Sequence, residues 1–220
     1  MNATAFDPAL VGAHARLVGD DGRVLPVAVE RWRAPASGED RWLLDRCAAP
    51  TVDLGCGPGR LVAELAGRGV PALGVDCSPS AVRQCHSRGV PVLHRDVFAA
   101  LPGEGRWHHA LLADGNIGIG GDPVRLLRRC AALLRPGGTV LVEAQHPGHG
   151  MWRGAARLQV AGVAASPWFP WAVAGLLALA ELARQLGLQT GDRQCAERCF
   201  LELRRPTGWR RGAGRHVSGW

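Results

Sequence analysis

From about residue 50 to residue 145, short apolar runs alternate with stretches whose apolar positions recur at helical spacing. This pattern predicts strands near 51–54, 71–75, 90–94, 108–113 and 138–144, with helices near 60–68, 79–88 and 122–135. Ser78-Pro79 marks a helix start, because serine offers an N-cap oxygen and proline fits the first helical position. Pro136-Gly137-Gly138 stops the helix before it. Alternating strands and helices imply a parallel sheet with helices on both faces. Positions 1–45 are mixed: 8–17 and 39–47 read as short helices, separated by an extended run at 24–29. Beyond Glu143 the alternation breaks, and a connection this long is usually functional or disordered. It is too apolar for disorder. A helix is then predicted over 171–188, with Leu176, Leu177, Leu179, Leu182 and Leu186 as its apolar face, followed by strands at 188–190 and 199–204. No internal repeat is visible.

The junction of the first strand and first helix reads Val52-Asp53-Leu54-Gly55-Cys56-Gly57-Pro58-Gly59. Three alternating glycines let the backbone turn sharply with no side chain in the way, so that a ligand can lie against the main chain. The helix that follows points its free N–H groups at such a ligand. A dinucleotide fingerprint would need glycine at 55, 57 and 60, and position 60 is Arg60. An NAD-dependent oxidoreductase is disfavoured on that ground. Asp76 and Asp114 end later strands, and Asp96 follows another. All fall on the carboxyl edge of the sheet with Gly55, where open α/β sheets bind ligands.

The acidic-x-Gly-x-Gly-x-Gly pattern resembles the first motif of the class I S-adenosylmethionine-dependent methyltransferases, and the resemblance continues to about residue 145. It implies a doubly wound, mostly parallel seven-stranded sheet with one antiparallel strand and helices on both faces. It also implies a methyl transfer that releases S-adenosylhomocysteine. Asp53, Gly55, Cys56, Gly57, Pro58 and Gly59 would form the cofactor turn. Asp76, with Cys77 and Ser78, would accept the ribose hydroxyls. Asp96 would take the adenine amino group while the Val97 N–H meets the ring. Asp114, Gly115 and Asn116 would line the methionine end or the acceptor. Leu133–Glu143 resembles the family's helix end, tight turn and fifth strand. The expected organisation is one domain over 1–220, with a cap at 1–45, a cofactor core at 50–145, a lid or substrate insertion at 145–172, a closing helix and two strands at 173–205, and a basic tail at 206–220.

Methyl transfer is an in-line displacement, so orientation alone supplies about 7–11 kcal/mol. A general base helps only if the acceptor must lose a proton, adding roughly 10²–10⁴-fold. His146, His149 and Asp114 are the catalytic candidates, His146 preferred for its closeness to the fifth strand's end; a solvated turn is the plainer reading of His146-Pro147-Gly148. Asp114-Gly115-Asn116 lacks the Pro-Pro-aromatic continuation of methyltransferases acting on nucleobase or glutamine amino groups, which counts against those substrates. Trp152, Trp168, Phe169 and Trp171 form either an aromatic lid over an apolar or aromatic acceptor or simply the burial of the long connection. No metal site is expected from His108, His109, His146 and His149, because neighbours on a strand point to opposite faces.

Composition narrows the picture further. All 26 basic residues are arginine, with no lysine and no tyrosine in the chain, which suits a GC-rich coding bias and weakens arguments from arginine enrichment. The net charge is +7; the five arginines of the stretch 204–220 account for five of it, leaving +2 for the rest. The tail is read as a solvated terminus, so a nucleic-acid partner is not expected; the alternatives are an RNA or protein methyltransferase docking through that tail, and a cofactor-binding domain that transfers nothing. The seven cysteines contain no Cys-x-x-Cys, which argues against a disulfide framework or zinc site. No apolar stretch of about 18 or more residues suggests a membrane span, and the first residues lack a secretory pattern. The expectation is a cytoplasmic enzyme on a small molecule, its oligomeric state open.

Overall fold

The computed structural model describes residues 5–12, 14–162 and 164–210; the last part of the basic tail lies outside them. An N-terminal segment supplies α1 (Asp7–Leu10), β1 (Ala15–Gly19), β2 (Val24–Leu25), α2 (Val29–Arg33) and α3 (Arg41–Leu44). The alternating core follows as β3 (Thr51–Leu54), α4 (Arg60–Gly67), β4 (Ala72–Asp76), α5 (Pro79–Ser87), β5 (Val92–His94), β6 (Trp107–Leu112), α6 (Pro123–Leu133) and β7 (Leu134–Ala144). The chain closes with β8 (Met151–Val160), β9 (Phe169–Ala174), α7 (Leu176–Gln185), β10 (Gln189–Cys195) and β11 (Cys199–Arg204). Side chains open the helices as the sequence suggests. Ser78 accepts the Ala81 N–H at 3.0 Å ahead of Pro79, and Asp122 accepts the Arg125 N–H at 3.1 Å ahead of Pro123.

The main sheet has seven strands in the order β10-β11-β7-β6-β3-β4-β5. Strands β3 to β7 pair in parallel, and β11 lies antiparallel between β7 and β10. This is the doubly wound sheet with one antiparallel strand that the resemblance implies. Its side chains alternate between two cores. Ala110, Leu112, Val140 and Val142 join α6 and α7 on one face. Leu111, Leu141 and Phe200 join Trp42 of α3 and Leu61 and Leu65 of α4 on the other.

A second, four-stranded antiparallel sheet, β2-β1-β8-β9, departs from expectation. The predicted helix at 8–17 ends at Leu10, because Gly12 turns the chain at φ +116°, and Ala15–Gly19 then runs as a strand along β8. The long connection after Glu143 is thus a folded β-hairpin. The helix predicted from 171 begins only at Leu176, since Trp171 and its neighbours pair with β8; Leu176, Leu179, Leu182 and Leu186 are buried but Leu177 is exposed. Pro136-Gly137-Gly138 stays within β7, where Gly137 donates to the Arg205 carbonyl and Arg205 to that of Gly138, both at 2.8 Å. One disulfide, Cys195–Cys199, closes the β10–β11 hairpin, where none was expected. Among the described residues no helix is long and apolar enough to cross a membrane.

Candidate active site

The glycine turn leaves β3 with Gly55, Gly57 and Gly59 at φ of 74°, 53° and 80°. L side chains rarely adopt these angles. The three glycines meet different surroundings. A Cβ on Gly55 would come within 2.7 Å of Ile119, and one on Gly59 within 2.8 Å of Cys85, so both are packed by the fold. A Cβ on Gly57 would meet nothing within 4 Å, because this residue faces an open cleft. Asn116 holds the turn from behind, donating its amide to the carbonyls of Leu54 at 3.0 Å and Gly55 at 2.8 Å.

Across the turn, the end of β4 presents Asp76. Its two carboxylate oxygens accept the N–H groups of Gly57 and Ser78, each at 2.8 Å. Burial pushes its carboxyl up, while backbone donors from Ser78, Gly57 and Cys77 oppose the shift. Ser78 also donates to Asp7, and Gln84 donates to the Leu10 carbonyl at 3.1 Å, so α5 pins the N-terminal segment beside the turn.

The cleft encloses about 990 Å³ including its open mouth. Gly55–Pro58, Asp76–Ser78, Val97, Asp114 and Asn116 line one side, and Phe6, Leu10, Pro26, Val27 and Trp32 from the N-terminal segment line another. Arg60, Ile119, and Phe169 and Trp171 of β9 complete it. Four of these rings form one continuous wall: Phe6 sits 5.7 Å from Trp32, 5.3 Å from Phe169 and 5.5 Å from Trp171 between centroids. Edge-on and tilted contacts of this kind are favourable arrangements for aromatic pairs.

Behind the cleft runs a charge network that alternates in sign. Arg60, at the first position of α4, donates to Asp40 and, at 2.8 Å, to Asp114. Arg198 donates to Asp40 at 2.7 Å and to both oxygens of Glu143 at 2.8 and 2.7 Å. Arg31 bridges Asp114 and Glu143 at 3.2 Å each. Three arginines thus face three carboxylates, a pairing that groups this buried require. Burial alone would raise Asp40, but the guanidiniums of Arg60 and Arg198 hold its carboxyl down to about 2. Burial likewise opposes ionisation of Glu143, yet Arg198 keeps it below its ordinary value. Burial, with the charge of Glu143 added, raises Asp114 against the pull of Arg60. Asp114 also holds a left-handed backbone at φ 54°, its N–H donating to Glu143 at 2.6 Å. Asp53 lies buried in β3, and burial pushes it up to about 7.

Of the residues singled out in the sequence, Gly55, Cys56, Gly57, Pro58, Asp76, Cys77, Ser78, Val97, Asp114 and Asn116 meet at the cleft. Asp53, Gly59, Asp96 and Gly115 do not line it: Gly59 packs on Cys85 and Val90, Asp96 accepts the Phe98 N–H at 2.8 Å, and Gly115 borders a smaller cavity beside Glu143. His146 and His149 are exposed on the turn Pro147–His149 and line no part of the cleft. Gln145 is drawn instead to the end of β9, its N–H on the Ala174 carbonyl, which carries the following turn outward. Trp152 donates to Asp21 of the β1–β2 turn and Trp168 stacks on Arg157, so only Phe169 and Trp171 of the expected aromatic lid reach the cleft. Sequence reasoning missed Phe6, Trp32, Asp40, Arg31 and Arg198. Arg60, a charge where a third glycine would stand, was the one available signal, read only as a departure.

Residues 51–138 match the family model described as a methyltransferase domain. The ubiquinone biosynthesis O-methyltransferase of Methylococcus capsulatus is 34% identical over 98 residues, covering 40% of this chain and 40% of that protein. The trans-aconitate 2-methyltransferase of Paracidovorax citrulli is 30% identical over 129 residues, covering 55% of this chain and 47% of that one. The chain thus spans less than half the length of the curated relatives it matches. A S-adenosylmethionine-dependent methyltransferase of Bacteroides fragilis, solved with S-adenosyl-L-homocysteine, superposes with a TM-score of 0.71 at 18% identity over 93% of both chains, a likeness of fold. The matched segment starts on β3 and takes in the glycine turn, Asp76 and Asp114, so that this part of the chain is similar to a methyltransferase domain.

Proposed function

We propose that this chain transfers a methyl group from S-adenosylmethionine to a small-molecule acceptor and releases S-adenosylhomocysteine. The observation that carries the reading is the pairing of an open glycine turn with a carboxylate clasp: Gly57 faces free space while Asp76 lies 2.8 Å from its N–H. The Asp76 carboxylate offers about four acceptor sites and takes backbone donors from Gly57, Cys77 and Ser78, which leaves room for a ribose hydroxyl. The backbone from Gly55 to Pro58 would lie along the rest of the cofactor, with Val97 against the adenine and Asp114 toward the methionine end. The cleft is mostly apolar in its lining, with a few convergent polar groups. The named relatives act on small molecules, and the Bacteroides fragilis protein holds S-adenosylhomocysteine.

When bound, the cofactor supplies a methyl group on a positively charged sulfur. The chain's own part is placement. Asn116 fixes the turn, Arg60 fixes Asp114, and the four-ring wall excludes water from the acceptor side. Asp76→Ala removes the clasp and is expected to weaken S-adenosylhomocysteine binding by roughly 1–3 kcal/mol. Calorimetry on the variant checks this, and an unchanged affinity contradicts the assignment of Asp76.

A further inference from the structure

Of the three carboxylates in the charge network, Asp114 is the one that lines the cleft. Among the described residues it is also the one non-glycine held at a left-handed φ, and backbone strain of this kind collects at functional sites. Its Oδ2 accepts Arg60 at 2.8 and 3.3 Å, while its Oδ1 accepts Arg31 at 3.2 Å, with Arg198 farther off at 3.6 Å. A carboxylate oxygen offers about two acceptor sites, so Oδ1 has room for another donor. Glu143 is full by comparison, taking two bonds from Arg198, one from Arg31 and one from the Asp114 N–H. The network also tolerates a proton on Asp114. Arg60 keeps Asp40, Arg31 keeps Glu143 and Arg198 keeps both, so each guanidinium retains a carboxylate. Oδ2 of the neutral group still accepts from Arg60. Burial raises the Asp114 carboxyl in the same sense, with Arg60 opposing and the charge of Glu143 adding to it.

We infer that the acceptor presents a neutral hydroxyl to Asp114, which accepts its hydrogen bond and takes its proton as the methyl group is transferred. The inference rests on the methyltransferase reading above. A carboxylate base matters for a hydroxyl in particular. Methylated while still protonated, a hydroxyl becomes a strongly acidic oxonium, so its proton has to leave as the new bond forms. A neutral amine keeps its proton through the transfer, and a protonated one, with a pKa of about 10, holds it too tightly for a carboxylate. The hydroxyl oxygen gains the methyl carbon as the carbon–sulfur bond breaks, and Oδ1 of Asp114 takes the proton. The carboxylate's negative charge and the sulfonium's positive charge are discharged together, leaving a neutral ether, a neutral thioether and a neutral Asp114 that returns its proton to water. Phe6, Trp32, Phe169 and Trp171 take the scaffold that carries the hydroxyl, and suit a flat ring.

The test uses para-nitrophenol, whose ionised form has its own absorption band, added at the probe's own pKa to the protein saturated with S-adenosylhomocysteine. Binding should lower the phenolate band in the wild type, because Asp114 holds the neutral form. In Asp114→Asn, where the carboxylate charge is gone, the band should hold or rise. The wild type should also bind the phenol about ten-fold more tightly than its methyl ether, para-nitroanisole, which has no proton to share. This second comparison needs no variant and stands even if Asp114→Asn fails to fold. A band that falls equally in both proteins would assign the effect to the apolar wall, and equal affinity for phenol and ether would leave Asp114 no part in binding. Either result, a rising band in the wild type, or no binding of the probe while S-adenosylhomocysteine binds overturns the inference and leaves the cofactor reading intact. If S-adenosylhomocysteine itself fails to bind, the methyltransferase reading falls and this inference with it.

Discussion

Asp53 shows how much one buried carboxyl can shape the behaviour of a site it does not line. It sits in β3 directly before the glycine turn, and burial raises it to about 7 against an ordinary value of 3.8. A carboxyl raised on folding takes up protons as the chain folds. The stability it permits is complete below the ordinary carboxylate range and is lost as pH rises through about 7. Wild-type protein should therefore lose up to about 3 kcal/mol between about pH 5 and about pH 8 relative to Asp53→Asn, as urea unfolding would measure. Parallel pH dependences for the two proteins would show that Asp53 is not the titrating group. Asp40 has the opposite sign: held down to about 2, it contributes stability above the ordinary range that is lost only in strong acid. At this scale the sequence was legible where backbone geometry demanded a residue type. Gly57 could be read because a left-handed φ in an open cleft excludes most side chains. Arg60 could not, because its partners Asp40 and Asp114 come from distant parts of the chain and no local spacing announces them.

Among the elements, β9 lies close against the turn Asn116–Gly121. A Cβ on Gly118 would fall 2.3 Å from the Ala172 carbonyl and 2.5 Å from the Trp171 ring. Backbone cannot yield as a flexible side chain does. Gly118→Ala should cost roughly 1–3 kcal/mol of stability and loosen the Phe169–Trp171 side of the wall. Thermal unfolding checks the first effect, and an unshifted Tm would mean that β9 stands off the turn. The core strands and helices from Thr51 to Leu133 were legible because each carries its own period and its own caps, such as Ser78-Pro79. The second sheet was not. β1 and β8 lie far apart in the chain, and Gly154, Ala155 and Ala156 dilute the alternation of β8. Trp171–Ala174 is apolar without a gap, and such a run does not distinguish a buried strand from a helix. His146 and His149 stand next to the fifth strand's end, but Pro147 and Gly148 turn the chain toward solvent there.

The whole molecule depends on pieces far apart in sequence converging behind one cleft. Arg198 of the β10–β11 hairpin, Asp40 ahead of α3, Glu143 of β7 and Arg31 of α2 meet in one network, which fastens the N-terminal segment and the closing hairpin to the sheet. Removing Arg198 would leave Asp40 and Glu143 short of a partner each. Arg198→Leu should destabilise the protein by about 3–5 kcal/mol, well beyond an ordinary surface change. Chemical denaturation measures it, and a loss near zero would show that the network is dispensable. The same convergence closes the cleft, since Phe6 and Trp32 arrive from the N-terminal segment and Phe169 and Trp171 from the second sheet. Phe6 and Trp32 could not be assigned to the site from local pattern, because only the tertiary fold brings them against Phe169 and Trp171. The most direct test of the account is calorimetric titration of the intact chain with S-adenosylhomocysteine, with NAD as the control ligand. Binding of S-adenosylhomocysteine alone is expected from the open Gly57 turn and the Asp76 clasp; binding of NAD alone, or of neither, would contradict it.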